Sequence, residues 1–297
     1  MKIALCFIIN YDHILNKEHI WREWIQENED LINVYFYYKD YNKIKSNWIK
    51  KHVIPNYYIF ETSYYHVIPA YISLLNFAIN ADKENKWFCF LTDSCCPIIP
   101  PKHFRKLFFQ YHNNSIFSWK KAWWNPYFHK RANLSKLSKE LWLANDAWFV
   151  LTKENVKQIL SFIKNKHTLT KIVCDGGLAN ESLFAIIFYF YRELNNNNKR
   201  IICNPTHIID WINRSSTTSP HLFKAGDENE INFINNELKK NKFAMFIRKI
   251  DTQFPDNILR EYIYKHDNKI FLVNTYIQYF LYFVICFLFY VLYFTIS

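Results

Sequence analysis

Seven stretches of the chain are apolar almost without a break, where strands with only one buried face would alternate with polar residues. They are 2–10, 32–38, 57–60, 87–91, 148–151, 200–203 and 243–247. Short continuous runs of this kind mark strands covered on both faces. Between them the spacing changes to that of helices. Ile20, Trp21, Trp24 and Ile25 share one helical face. Residues 67–79 form a second helix, with Pro69 in the first turn where proline is tolerated. Thr152 caps a third, running from 153 to about 163. Asn180 caps a fourth over 181–193, with Leu183, Phe184, Ile187 and Phe188 on its apolar face, and a fifth covers 230–239. Alternating strands and helices predict an α/β sandwich with a mainly parallel sheet. Ligands of such sheets bind beyond the C-terminal ends of the strands.

The end of the chain is of another kind. Residues 270–296 carry no charge, and 279–296 read YFLYFVICFLFYVLYFTI. This length of apolar helix crosses a bilayer. Lys265 and Lys269 precede it and no charge follows, so the positive-inside tendency puts the preceding domain in the cytosol. The expectation is a globular domain over 1–260, a basic juxtamembrane linker over 261–269 and a single-pass C-terminal anchor over 270–296. The apolar N-terminal run is too short for a signal anchor and reads as the first buried strand. Asn180-Glu181-Ser182 is one of several glycosylation sequons, the others starting at Asn113, Asn133 and Asn213. A glycan on Asn180 would crowd Glu181, which makes a lumenal location awkward.

Composition narrows the chemistry. The formal charge of +11 suits an anionic partner such as a membrane surface or a phosphorylated substrate. Lysine and arginine are dispersed and no nucleic-acid-binding signature is present, which argues against nucleic acid. With three glycines in 297 residues, neither a P-loop nor a Gly-x-Gly-x-x-Gly fingerprint exists. The seven cysteines include no Cys-x-x-Cys pair, so neither a zinc site nor a disulfide framework is indicated.

Two of the three glycines are adjacent, at Gly176-Gly177, just ahead of Glu181. On the first turn of a helix a glutamate is favoured in its ionised form, a suitable way to hold a general base. It can equally do no more than complement the helix dipole. Asp93 and Ser94 follow an apolar strand directly, where a nucleotide or substrate would lie, although an ordinary turn explains them as well. Residues 118–133, SWKKAWWNPYFHKRAN, join aromatic faces to basic donors and suit sugar or base stacking. Arg214, Arg248 and Lys249 are able to clamp a diphosphate.

In their order along the chain these segments resemble the Core-2/I-branching β-1,6-N-acetylglucosaminyltransferase family (glycosyltransferase family 14), with its plant and viral relatives. Residues 88–97 look like that family's strand ending in Leu-x-Ser-Glu-Ser-Cys-x-Pro, with Asp93 in the Glu place. Residues 147–152 are similar to its Gln-Trp-Phe-x-Leu-Thr strand. Residues 180–184 match its Asp-Glu segment, and the pieces at Asp210-Trp211, Pro220-His221 and 246–250 match its C-terminal pattern. The resemblance implies a GT-A-like, Rossmann-type fold and an inverting, metal-independent transfer of a sugar from a UDP-sugar to a hydroxyl of a glycan or glycoprotein. N-acetylglucosamine is the expected sugar, with no cofactor. It implies Glu181 as the base and Lys249 and Arg214 as neutralisers of the leaving UDP. Asp93, Ser94 and Trp148 are candidates to orient nucleotide and sugar, and Arg248 stands beside Lys249. Three departures stand out: Asn180 replaces the acid before the base, Asn145-Asp146-Ala147 precedes Trp148, and the anchor is C-terminal where the family has an N-terminal one in the Golgi lumen. Two other readings stay open, UDP-xylose as donor and a catalytically inactive, membrane-anchored glycan-binding protein.

Overall fold

A computed structural model describes residues 1–9, 12–194 and 200–264. The first half-sheet is built from β1 (Lys2–Ile8), α1 (Glu18–Gln26), β2 (Ile32–Tyr37), a short α2 (Asn47–His52), α3 (Ile68–Ala81) and β3 (Asn85–Thr92). A turn at Asp93-Ser94 leads into β4 (Cys95–Pro97), then α4 (Pro101–Tyr111), β5 (Ser115–Ile116), β6 (Trp119–Lys121) and α5 (Pro126–His129). There follow β7 (Leu143–Asn145), β8 (Val150–Thr152), α6 (Lys153–Asn165), α7 (His167–Cys174) and α8 (Leu183–Phe190). The last elements are β9 (Ile201–Ile202), β10 (His207–Ile209), α9 (Glu228–Lys240) and β11 (Phe246–Arg248).

Six strands form the central sheet in the order β2-β1-β3-β8-β5-β9. β1 pairs in parallel with β2 and β3, and β5 with β9. β8 runs antiparallel to both of its neighbours. The sheet is therefore mainly parallel, as expected, with one reversed strand in its middle. A second sheet, β10-β11-β4, places Arg248 opposite Cys95. β1 shows why the apolar runs are unbroken. Ile3, Leu5 and Phe7 enter one core with Trp21, Trp24, Phe36 and Phe246, while Ala4 and Cys6 enter another with Tyr71, Phe90 and Phe184. The indole N–H groups of Trp21 and Trp24 donate to the carbonyls of Cys95 and Ile99 at 2.9 and 2.8 Å, so neither is buried unpaired.

Caps behave as the residue types dictate. Thr152 Oγ1 accepts the Asn155 N–H at 3.3 Å and starts α6. Asp227 accepts the Glu230 N–H at 3.0 Å to start α9, and the Glu230 carboxylate turns back onto the N–H groups of Lys224 and Gly226.

Four expectations need correction. Residues 57–60 are not a strand: a 3-10 turn occupies Asn56–Tyr58 after Pro55, and the open side of β2 is met instead by Val53, bridged to Phe36. The strand expected at 148–151 starts at Val150, leaving Trp148 ahead of it. The strand expected at 243–247 is shifted to Phe246–Arg248, because the Asn241 side chain accepts the Phe243 N–H at 2.9 Å and holds that stretch in a turn. Asn180 is not a helix cap and Glu181 is not on a helix's first turn. Leu178 is left-handed (φ 57°), Ala179–Glu181 form a 3-10 turn, and Ser182 breaks the path before α8 begins. The helix dipole therefore gives no account of Glu181.

Among the described residues no helix is long and apolar enough to cross a membrane. The apolar segment 270–296, Lys265 and Lys269 lie outside the described residues, as does the asparagine tract at 195–198.

Candidate functional site

β3 ends at Thr92, and the next two residues turn the chain into β4, which pairs with β11. This register brings Arg248 back onto the end of β3. Its Nη1 donates to Ser94 Oγ at 2.7 Å and to Thr92 Oγ1. Its guanidinium also lies over the Trp148 ring, 4.3 Å from the centroid. Ser94, Trp148 and Arg248 are thus one unit. Asp93 and Lys249 complete it. Burial pushes the Asp93 carboxyl up, while Arg248 and Lys249 pull it back. Burial, then repulsion from Arg248, pushes the Lys249 ammonium down, and Asp93 counteracts this. The backbone fixes the cluster: Ile250 N–H donates to Ser94 O at 2.9 Å, and Phe223 N–H to Lys249 O at 2.8 Å.

The cluster contains polar atoms that the described residues leave unpaired. Arg248 Nε, Trp148 Nε1 and His207 Nε2 are buried and have no partner among the described residues. The His207 ring lies tilted against those of Trp148 (centroids 6.0 Å apart) and Phe246 (5.1 Å), and its Nδ1 meets Thr206 Oγ1 at 2.9 Å. Burial and the nearby Arg248 push its imidazole well below the ordinary histidine value, which keeps it neutral. The Arg248 guanidinium and the Lys249 ammonium suit a diphosphate, which offers only acceptors.

Glu181 sits on a separate, rigid support. Gly176 packs against the backbone of Ala132 and Asn133 so closely that a Cβ would lie 2.3 Å from the Asn133 nitrogen. Ala132 N–H donates to Gly177 O at 2.9 Å, and Leu178 N–H to Tyr65 O at 2.8 Å. The first of these contacts brings Arg131 beside the turn, where it forms an ion pair with Glu181. The Arg131 guanidinium also lies over the Trp124 ring, 4.1 Å from its centre.

Residues 145–148 tie the two halves together. Asn145 Nδ2 donates to the carbonyls of Asp146 and Asn180, each at 2.9 Å, and Asn145 Oδ1 accepts the Ala185 N–H at 3.2 Å. Tyr71 donates to Ala147 O at 2.7 Å and is in turn hydrogen-bonded by the Asn180 side chain. Trp148 then meets Arg248. The 145–148 segment thus runs from a tie on the Asn180 carbonyl, next to Glu181 in the chain, to the ring that lies against Arg248. The residues that depart from the family pattern, Asn145 and Asn180, are therefore structural ties around Glu181. Asn180 and Ser182 are both buried, so the sequon they form is closed to a glycan in the folded chain.

Of the candidates from sequence, Asp93, Ser94, Trp148, Arg248 and Lys249 come together, and Glu181 stands across the 145–148 segment from them. Arg214 does not join them. It is exposed on the loop after Asp210, and no hydrogen bond, ion pair or ring contact ties it to another described residue. Arg131, Asn145, Tyr71 and His207 were not found from sequence. Arg131 lies within the aromatic and basic stretch 118–133, but nothing in its spacing ties it to Glu181. Among the described residues no group of three or more His, Cys, Asp or Glu is arranged to hold a metal ion.

The basic cluster at the C-terminal end of β3 lies where ligands of such α/β sheets bind. The family model described as "Branch: Core-2/I-Branching enzyme" matches residues 16–235. The chain belongs to that family, which makes it a glycosyltransferase by kinship. Comparison with curated proteins gives no match.

Proposed function

We propose that the chain moves N-acetylglucosamine from a UDP-sugar to a glycan hydroxyl with inversion and without a metal ion. The observation that carries this reading is the Arg248–Trp148–Lys249 cluster standing across residues 145–148 from Glu181. The acceptor oxygen attacks the anomeric carbon from the face opposite UDP while the Glu181 carboxylate takes its proton. The bond from that carbon to the diphosphate breaks, and UDP leaves with the electron pair. Arg248 and Lys249 neutralise the charge it gains, the role a metal fills in other glycosyltransferases. Ser94 holds Arg248 in place, and Asp93 keeps Lys249 aligned. Arg131 orients Glu181 in the resting site and gives it up when the acceptor hydroxyl arrives. The uncharged run 270–296 anchors the protein in a membrane as a single C-terminal span, with the catalytic domain on the cytosolic side.

The ion pair that occupies Glu181 also favours a second reading, a glycan-binding protein without turnover. UDP release by the full chain separates the two. We expect release from UDP-N-acetylglucosamine that acceptor glycans stimulate and excess EDTA leaves intact. Preference for UDP-xylose would change the donor. A strict metal requirement would overturn the basic clamp, and no release from any UDP-sugar would overturn the enzyme reading.

A further inference from the structure

Thr206 and His207, where the chain enters β10, touch Trp148 at two separate places. The Thr206 hydroxyl meets the Trp148 carbonyl at 3.3 Å, and the His207 ring lies 6.0 Å from the indole, centre to centre. The sheet explains the second contact. In the parallel pair of β10 and β11, His207 is opposite Phe246, and Arg248 follows Phe246 by two residues. Paired residues, and residues two apart on a strand, share one face of a sheet, so His207 and Arg248 emerge on the same side. The Trp148 ring meets both of them. Thr206 is itself held by the approach to β11, because its carbonyl accepts the N–H groups of Met245 and Phe246 at 2.9 and 3.2 Å.

A count of hydrogens then fixes the imidazole. Thr206 Oγ1 carries one hydrogen and has two neighbours, the Trp148 carbonyl and His207 Nδ1, the latter at 2.9 Å. A carbonyl only accepts, so the hydroxyl hydrogen goes to Trp148 and Oγ1 accepts from Nδ1–H. The relay runs from His207 Nδ1 through Thr206 Oγ1 to Trp148 O. Burial and the nearby Arg248 keep the ring neutral, so Nε2 bears a lone pair. A charged ring here would set a second cation against Arg248. We propose that Thr206 and His207 are positioning residues of the donor site, which hold the Trp148 indole against the Arg248 guanidinium through this relay. They act through Trp148 and make no bond to the donor. A phenylalanine at 207 would keep a ring against the indole but could not supply the Nδ1 hydrogen. This rests on the reading of Arg248 as a ligand of the diphosphate.

Calorimetry with UDP on the full chain in detergent tests the proposal. Thr206→Val and His207→Phe should each weaken UDP by about three- to tenfold, the range for loosening one contact between a cation and a ring. Thr206→Ser, which keeps the hydroxyl, should bind as the wild type does. Trp148→Leu removes the group on which both residues act, so adding Thr206→Val to it should weaken UDP no further; losses that multiply overturn the relay. In a spectrum of the chain labelled with ¹⁵N-histidine, the resonances lost in His207→Phe should belong to a neutral ring with its hydrogen on Nδ1. Hydrogen on Nε2, or on both nitrogens, also overturns the relay. UDP affinity unchanged in both single variants overturns the positioning role. A wild type that does not bind UDP defeats the donor-site reading and this inference with it. One that binds UDP but releases none from a UDP-sugar defeats the enzyme reading alone and leaves the relay standing.

Discussion

The guanidinium of Arg248 lies face-on to the indole of Trp148, 4.3 Å from its centre, and the same guanidinium reaches Ser94 at 2.7 Å. Stack and hydrogen bond fix one charge at the end of β3, where the proposed reaction needs the diphosphate. Replacing Arg248 by leucine should lower kcat by about 10²–10³, the usual loss when one donor to developing negative charge is removed. Trp148→Leu should cost about 0.5–2 kcal/mol, read as a raised KM for the UDP-sugar. Steady-state kinetics with the donor varied measures both, and a Trp148 variant with unaltered donor KM would remove the ring from this role.

Glu181→Gln keeps the size and most of the hydrogen bonding of the side chain while removing its basicity. Transfer should fall by about 10²–10⁴, with UDP affinity unchanged. Turnover at the wild-type rate would exclude Glu181 as the base.

Lys249 supplies a pH test. Its ammonium is pushed below the ordinary lysine value, by burial first and by Arg248 second, against the pull of Asp93. Donor binding that depends on this charge is complete on the acidic side and is lost as the pH rises through the lowered value. KM for the UDP-sugar should therefore climb at a lower pH than an exposed lysine would allow. Lys249→Arg, which stays charged, should remove that alkaline rise. An identical alkaline limb in the variant would assign the titration to another group.

The adjacent glycines should differ sharply. A Cβ at Gly176 meets the Asn133 nitrogen at 2.3 Å, whereas one at Gly177 finds its nearest neighbour, the Tyr65 Cβ, at 3.7 Å. Gly176→Ala should lose about 1–3 kcal/mol in denaturant unfolding because backbone must move. Gly177→Ala should stay close to the wild type. Equal stability of both variants would contradict the packing of 132–133 on this turn.

Much of this was legible in the chain. β1, β2, β3, α1, α3 and α6 lie close to where the apolar runs and caps put them, because each is decided by local pattern and double-sided burial. The failures share a cause. At 57–60 the aromatic residues read as a strand, yet the pairing partner was already taken by Val53. At 180–181 an asparagine followed by apolar helical spacing read as a cap, yet a left-handed Leu178 and a carbonyl tie from Asn145 pulled the turn into 3-10 geometry. Both were settled by partners far along the chain. The site divides in the same way. Arg248 and Lys249 were visible as a charged pair, but Arg131 was not, since contacts between 132–133 and 176–177, distant in sequence, bring it to Glu181.

Lys17 has a buried ammonium that donates to Thr252 O, Phe254 O and Asp256 Oδ1 at 2.7, 2.5 and 2.7 Å. It stands at the start of α1, and those three acceptors follow shortly after β11, which ends at Arg248, and after Lys249. Leu259 and Ile263 beyond them are fully buried. The family match stops at residue 235, but the folding unit does not. A fragment cut at the matched boundary would lose the basic clamp outright. One cut just after Lys249 would take away all three acceptors of Lys17 and the buried side chains of Leu259 and Ile263 together. The smallest autonomous piece of this enzyme is therefore set by a lysine near its beginning.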